Sequence, residues 1–195
     1  MVRTLEFYWD FGSPFAYIGS TQAEALAERT GATLISRPML LGAVFKALGV
    51  PDAPILTWSE SKRRHSLQHI QRWAEYYAVP FQLPSRFPIM TMKALRAYFA
   101  VPEAQRLAYR EAVFRAYWSE DRDIADDKVL AELIGPGAAD VLSKSSEQDI
   151  KDALRASTQR AIDAGVFGAP SWVVDGRDLY WGQDRMVLVE HALRG

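Results

Sequence analysis

The first 38 residues carry a strand, a helix and a second strand, and that order leaves few folds open. Thr4-Leu5-Glu6-Phe7-Tyr8-Trp9 is rich in aromatic and branched side chains, the composition of a strand. Asp10-Phe11-Gly12-Ser13-Pro14 follows as a turn, with Ser at a capping position and Pro at the first helical one. The helix opened there is predicted to run to about Arg29 and to stop at Gly31. Residues 32–38 form a second strand, ended by Pro38. A helical crossover between the two strands implies that they are parallel, since a tight hairpin cannot join parallel strands.

The middle of the chain reads differently. Helical periodicity covers 42–48, 59–78, 90–99, 102–118, 127–134 and 146–165. Pro and Gly mark the breaks: Val50-Pro51-Asp52-Ala53-Pro54, Leu83-Pro84 to Phe87-Pro88, and Gly135-Pro136-Gly137. Strands then return at Ser171–Val174 and Leu179–Trp181 around the turn Asp175-Gly176-Arg177-Asp178, and a last helix spans about 183–193. The class is therefore α/β, a thioredoxin-like domain with an inserted all-helical domain. Residues 1–41 and 166–195 are expected to form the first and 42–145 the second, with the 146–165 helix packing on the first.

Composition limits the function. The 23 Lys and Arg balance 24 Asp and Glu to a net charge of −1, against the clustered basic excess that nucleic acid or an anionic membrane requires. No run of apolar residues is long enough to span a bilayer, and the start lacks the pattern of a secretory leader. A soluble, cytoplasmic protein without nucleic-acid or membrane partners is expected. Cysteine is absent, so neither a disulfide nor a cysteine nucleophile is available. Any thiol chemistry must borrow its sulfur from a small molecule.

Ser13 stands between a strand end and a helix start, where a helix dipole favours an anion; an ordinary N-cap explains the same position. FGSPF lacks the second Gly of a nucleophile elbow, which speaks against a serine hydrolase. His65 and His69 share a helix face, but the sequence between them lacks the Glu of a zinc hydrolase, and no metal site is expected. The acidic run Glu120 to Asp127 lacks the Gly and alternating ligands of a calcium loop and is read as a capped helix start. Trp73, Tyr76 and Tyr77 form a stripe at helical spacing, either core packing or the wall of an aromatic site. Gly168-Ala169-Pro170 precedes a strand, and a cis bond there would present the Ala169 backbone to a peptide-like ligand. His191 is taken as a surface residue.

Three motifs together resemble the kappa-class glutathione transferases and their bacterial relatives, the 2-hydroxychromene-2-carboxylate isomerases. They are Asp10-Phe11-Gly12-Ser13-Pro14-Phe15, Phe167-Gly168-Ala169-Pro170 and Trp181-Gly182-Gln183-Asp184-Arg185. Leu40-Leu41-Gly42 with Lys46, Arg72-Trp73-Ala74-Glu75-Tyr76-Tyr77, and Tyr117-Trp118 to Asp123-Ile124 add to the likeness. The resemblance implies a DsbA-like thioredoxin fold, with Ser13 and Ala16 where the disulfide oxidoreductases of that fold carry their two cysteines. It implies glutathione as cofactor, with the Ser13 hydroxyl donating to its sulfur and the Ala169 backbone pairing with its cysteinyl part. Trp181, Gly182, Gln183 and Asp184 would hold the γ-glutamyl end, and Lys62 a glutathione carboxylate. Lys46 is the candidate for the carboxylate of a small aromatic substrate, and a homodimer is expected. The implied activity is isomerisation by reversible thiolate addition, with a conjugating transferase or a non-catalytic binding module as the alternatives.

Overall fold

The computed structural model describes residues 2–51 and 54–195. Its order is β1 (Thr4–Trp9), α1 (Pro14–Ser20), α2 (Ala23–Thr30), β2 (Thr33–Pro38), α3 (Leu41–Ala47) and α4 (Glu60–Tyr76). There follow α5 (Met92–Ala100), α6 (Arg106–Trp118), α7 (Asp127–Ile134), α8 (Ala138–Lys144), α9 (Gln148–Asp163), β3 (Ser171–Val174), β4 (Asp178–Trp181) and α10 (Met186–Arg194). The sheet order is β2-β1-β3-β4. β1 and β2 are parallel with Thr4 opposite Thr33, whereas β3 runs antiparallel to both β1 and β4. This is the thioredoxin-like α/β arrangement, with helices filling the long interval between β2 and β3.

Two elements differ from the sequence expectation. The helix predicted from Ser13 to Arg29 is two helices, because hydroxyls claim its carbonyls midway. Ser20 Oγ donates to the Tyr17 carbonyl at 2.7 Å and Thr21 Oγ1 to the Ile18 carbonyl at 2.8 Å. Such local bonds compete with the helical ladder. α2 then ends on Gly31, which takes the left-handed conformation (φ 66°). The second difference is α8, which starts directly after the Gly135-Pro136-Gly137 break, in an interval where the periodicity predicts no helix.

One core runs through both parts of the chain. From the sheet come Leu5, Phe7, Trp9, Trp172 and Val174, and from the helical middle Leu95, Val113, Phe114, Tyr117 and Trp118, all within the same buried cluster. Phe7 stacks on Trp172 with centroids 4.4 Å apart, and Trp9 meets Phe11, Tyr98 and Phe114 edge-on or tilted. α9 is fastened to the sheet by polar contacts instead. Ser157 Oγ donates to the Pro38 carbonyl at 2.6 Å and Leu40 N–H to Thr158 Oγ1 at 3.0 Å. Arg160 of α9 and Arg37 of β2 converge on one oxygen of the buried Glu6, at 2.7 and 2.8 Å, while Tyr8 donates to the other. Burial pushes the Glu6 carboxyl up, but hydrogen bonds from Tyr8, Arg160 and Arg37 outweigh it and hold the group below the usual carboxylate range.

No helix among the described residues is long and apolar enough to cross a membrane. Nor, among them, do three or more His, Asp or Glu gather as a metal cage.

Candidate active site

β1 delivers Asp10 to the C-terminal end of the sheet, and Asp10 shapes the turn that presents Ser13. The Asp10 carbonyl accepts the Ser13 N–H at 3.1 Å. One carboxylate oxygen accepts the Gly12 N–H at 2.9 Å, the other the Leu41 N–H at 2.7 Å, with the Thr91 hydroxyl alongside. The start of α1, the start of α3 and the entrance to α5 are thus bound to one side chain. Burial pushes the Asp10 carboxyl up, and the hydrogen bonds from Gly12, Leu41 and Thr91 offset this only in part. The sequence reading took Asp10 for a turn residue. The Asp-x-Gly spacing signals the local Asx turn, but nothing local signals Leu41 and Thr91.

Ser13 is buried and fully engaged. Its Oγ accepts the Ala16 N–H at 3.1 Å, as an N-cap does, and donates to the Ala169 carbonyl at 2.8 Å. Ser13 is therefore the N-cap of α1 and at the same time tied to the loop before β3. Because α1 spans only Pro14–Ser20, the dipole behind Ser13 comes from about two turns of helix rather than four.

The second wall is the loop before β3. Its Ala169–Pro170 peptide is cis, as the sequence expectation held, and Phe87–Pro88 is a second cis bond that was not foreseen. Ser171 Oγ donates to the Gly168 carbonyl and Gly182 N–H to the Pro170 carbonyl, at 2.8 and 2.9 Å. Between these tied groups, the Ala169 N–H donates to no acceptor among the described residues. A Cβ at Gly168 would lie 2.4 Å from Trp181 Nε1, so any larger residue there must displace that ring. Trp181, 54% exposed, pairs with the exposed Phe167 at 5.1 Å and leaves an aromatic rim beside the loop.

Gly182, Gln183 and Asp184 are joined to this wall through the Gly182–Pro170 bond and through Trp172 Nε1, which donates to the Gly182 carbonyl at 3.1 Å. Gln183 is buried beneath Gly19 of α1, with no partner for its Nε2 among the described residues. The Asp184 carboxylate is half-exposed and pairs with Arg185 at 2.8 Å. Ser13, Ala169 and the 181–184 segment are therefore brought together around α1. Lys62 is not joined to them: it is exposed in the first turn of α4, its ammonium 4.2 Å above the Trp58 ring. Lys46 is exposed in the last turn of α3, with no hydrogen bond or ion pair to the cluster among the described residues.

α4 lies against α1 through Ile18, Ile70 and Ala74, with Phe15, Trp73 and Tyr77 packed on them. Its aromatic stripe divides: Trp73 and Tyr77 are half-buried and stacked at 5.6 Å, while Tyr76 is 75% exposed. His65 and His69 stack at 6.0 Å, and His69 Nε2 accepts from Trp73 Nε1, so that nitrogen is engaged within the helix. In the acidic run, Asp126 caps α7 and Asp121 accepts from Ser85. His191 is exposed on α10.

A family model described as a DSBA-like thioredoxin domain matches residues 4–194. The 2-hydroxychromene-2-carboxylate isomerase of Pseudomonas putida is 29% identical over 194 residues, covering 97% of this chain and 93% of its own. Glutathione S-transferase kappa 1 of Rattus norvegicus is 30% identical over 210 residues, covering 98% and 91%. Among solved structures, a 2-hydroxychromene-2-carboxylate isomerase superposes with a TM-score of 0.82 at 26% identity, covering 97% of this chain and 94% of that one.

Proposed function

From the premise that the chain belongs to the DsbA-like thioredoxin family, and is an enzyme akin to its 2-hydroxychromene-2-carboxylate isomerases and kappa-class glutathione transferases, we propose a glutathione-dependent isomerase of a small aromatic carboxylate. The observation that carries this reading is the pairing of Ser13 with Ala169, at 2.8 Å, in a chain without cysteine. Bound glutathione would supply the sulfur nucleophile for reversible addition to a conjugated system. The protein's part is to hold that sulfur and bias its ionisation.

The residues fit the task. A free cysteine thiol has a pKa near 8.5 and reacts as the thiolate. A hydroxyl that donates to the anion favours it, and Ser13 holds such a hydroxyl fixed by its cap. The free Ala169 N–H offers a donor to a peptide carbonyl in the manner of a strand edge. Gly182, Gln183 and Asp184, two of them with spare polar capacity beside the wall, would take the γ-glutamyl end, with Trp181 flanking. Lys62 and Lys46, on helices bordering the site, would meet the carboxylates of glutathione and substrate. The exposed rings of Phe167 and Trp181 give a flat surface for an aromatic group. A cytoplasmic homodimer belongs to the same proposal, and light scattering in solution tests its oligomeric half.

A second reading, a kappa-like transferase, is favoured by the 30% identity to the rat enzyme. One experiment separates them. Given 2-hydroxychromene-2-carboxylate and glutathione, the isomerase equilibrates the substrate with its open-chain isomer while the free-thiol titre stays constant over many turnovers. A transferase consumes thiol in proportion to product. Isomerisation at full rate by enzyme freed of all thiol would overturn the proposal.

A further inference from the structure

Away from the Ser13 site, a cavity of about 730 Å³ runs along the outer edge of β2, between α6 with the end of α5 on one side and α9 on the other. Its size lies within the range of small-molecule sites. Arg37, Arg106, Arg110 and Arg160 line it. Against them stand Glu24, paired with Arg110 at 2.7 Å, and Glu6 behind the wall, shared by Arg37 and Arg160. Glu103 also lines the cavity and is exposed. One carboxylate thus serves two guanidiniums, and Arg106 has no carboxylate partner among the described residues. The Nε–H groups of Arg106 and of Arg110, itself 1% exposed, find no acceptor among the described residues.

β2 adds backbone donors. The Thr33 and Met39 N–H groups donate to Arg3 and Trp9 of the β1 side, at 2.9 Å each. By strand alternation, the intervening Leu34 and Ser36 turn their N–H groups outward, along the cavity floor. The planar forks of arginine match carboxylate and phosphate groups in two-point contacts. A second copy of the chain paired edge-to-edge here would set these guanidiniums against their own duplicates, so the charge speaks against that occupant. We infer that the β2-edge cavity is a binding site for a small organic polyanion carrying at least two carboxylate or phosphate groups. It would bridge Arg106 at one end and the Arg37–Arg160 pair at the other. This site is distinct from the Ser13 site and does not depend on the function proposed for it.

Calorimetric titration of the full chain with citrate and, separately, with pyrophosphate tests the inference. Saturable binding of citrate alone assigns the site to carboxylates, and of pyrophosphate alone to phosphates. Arg106→Gln and Arg160→Gln each weaken the binding about tenfold, the size of one lost charge-assisted hydrogen bond. Both substitutions lie at partly exposed side chains, and unaltered circular dichroism and thermal unfolding show that the fold persists. Arg64→Gln, on the exposed face of α4, leaves the affinity unchanged. Absence of saturable binding by either anion, binding unaffected in Arg106→Gln and Arg160→Gln, or an equal loss in Arg64→Gln would each overturn the inference.

Discussion

Two carboxylates four residues apart along the chain, Glu6 within β1 and Asp10 just beyond its end, are both nearly inaccessible to water, yet they are held in opposite ways. Glu6 is met by two guanidiniums and a phenol, which outweigh its burial. Among the described residues Asp10 is met only by neutral donors, from Gly12, Leu41 and Thr91, and its burial prevails. The charged partners of Glu6 lock α9 to the sheet. The neutral partners of Asp10 lock a turn that has to leave Ser13 oriented.

The largest effect expected from breaking this contrast comes at Asp10. Asp10→Ala leaves the part-buried Gly12 and Leu41 N–H groups without their acceptor and is expected to cost about 4 kcal/mol of stability, read by urea unfolding. A loss under about 1 kcal/mol would show that water replaces the carboxylate and that Asp10 does not brace the turn. Next comes Ser13→Ala, which is expected to lower the glutathione-dependent rate about a hundredfold, or about 3 kcal/mol. Its folding loss should be only the ~1 kcal/mol of a missing cap. A wild-type rate at saturating glutathione would reduce Ser13 to that cap.

At Glu6 the expected loss is smaller, about 2 kcal/mol for Glu6→Gln, because Arg160 and Arg37 retain access to solvent. The two acids also have opposite pH signatures. Glu6, lowered in the folded state, contributes stability present above its unfolded pKa near 4.5 and lost as pH falls through the folded value. Asp10, raised in the folded state, binds its proton more tightly there, so its contribution declines as pH rises from its unfolded pKa near 3.8 toward the folded value. Acid titrations of stability should therefore flatten at low pH in Glu6→Gln and lose the opposing slope in Asp10→Asn. Equal slopes in both variants would refute the contrast. The smallest effect is at the second wall: Gly168→Ala pushes Trp181 aside at about 1–2 kcal/mol, and weaker glutathione binding with little loss in melting temperature would place that cost at the rim.

How far these features are legible in the sequence follows the range of the interactions. β1, β2, β3 and β4 carry their own period and turn residues, and α7 begins and ends where Asp126 and Gly135 announce it. The break between α1 and α2 escapes periodicity, because Ser20 and Thr21 disrupt the ladder through hydroxyls that also fit a helix interior. Ser13, Ala169 and Gly182 are recognisable by motif, and the fold brings them together. Motif gives no notice that Gln183 is buried under Gly19, or that Lys46 and Lys62 stand apart on exposed turns. Asp10 depends on Leu41 and Thr91, 31 and 81 positions away, and so lies beyond any local pattern.

The bond from Ser13 to the Ala169 carbonyl has a consequence for whatever sulfur enters. Its proton already rests on a good acceptor, so an incoming atom must attract it more strongly than an amide oxygen does. A neutral thiol is a feeble acceptor and leaves the bond intact; an anionic sulfur competes well. Under the proposed function the serine would therefore act as a sieve for ionisation, giving its proton to the anionic form of a thiol ligand and withholding it from the neutral form.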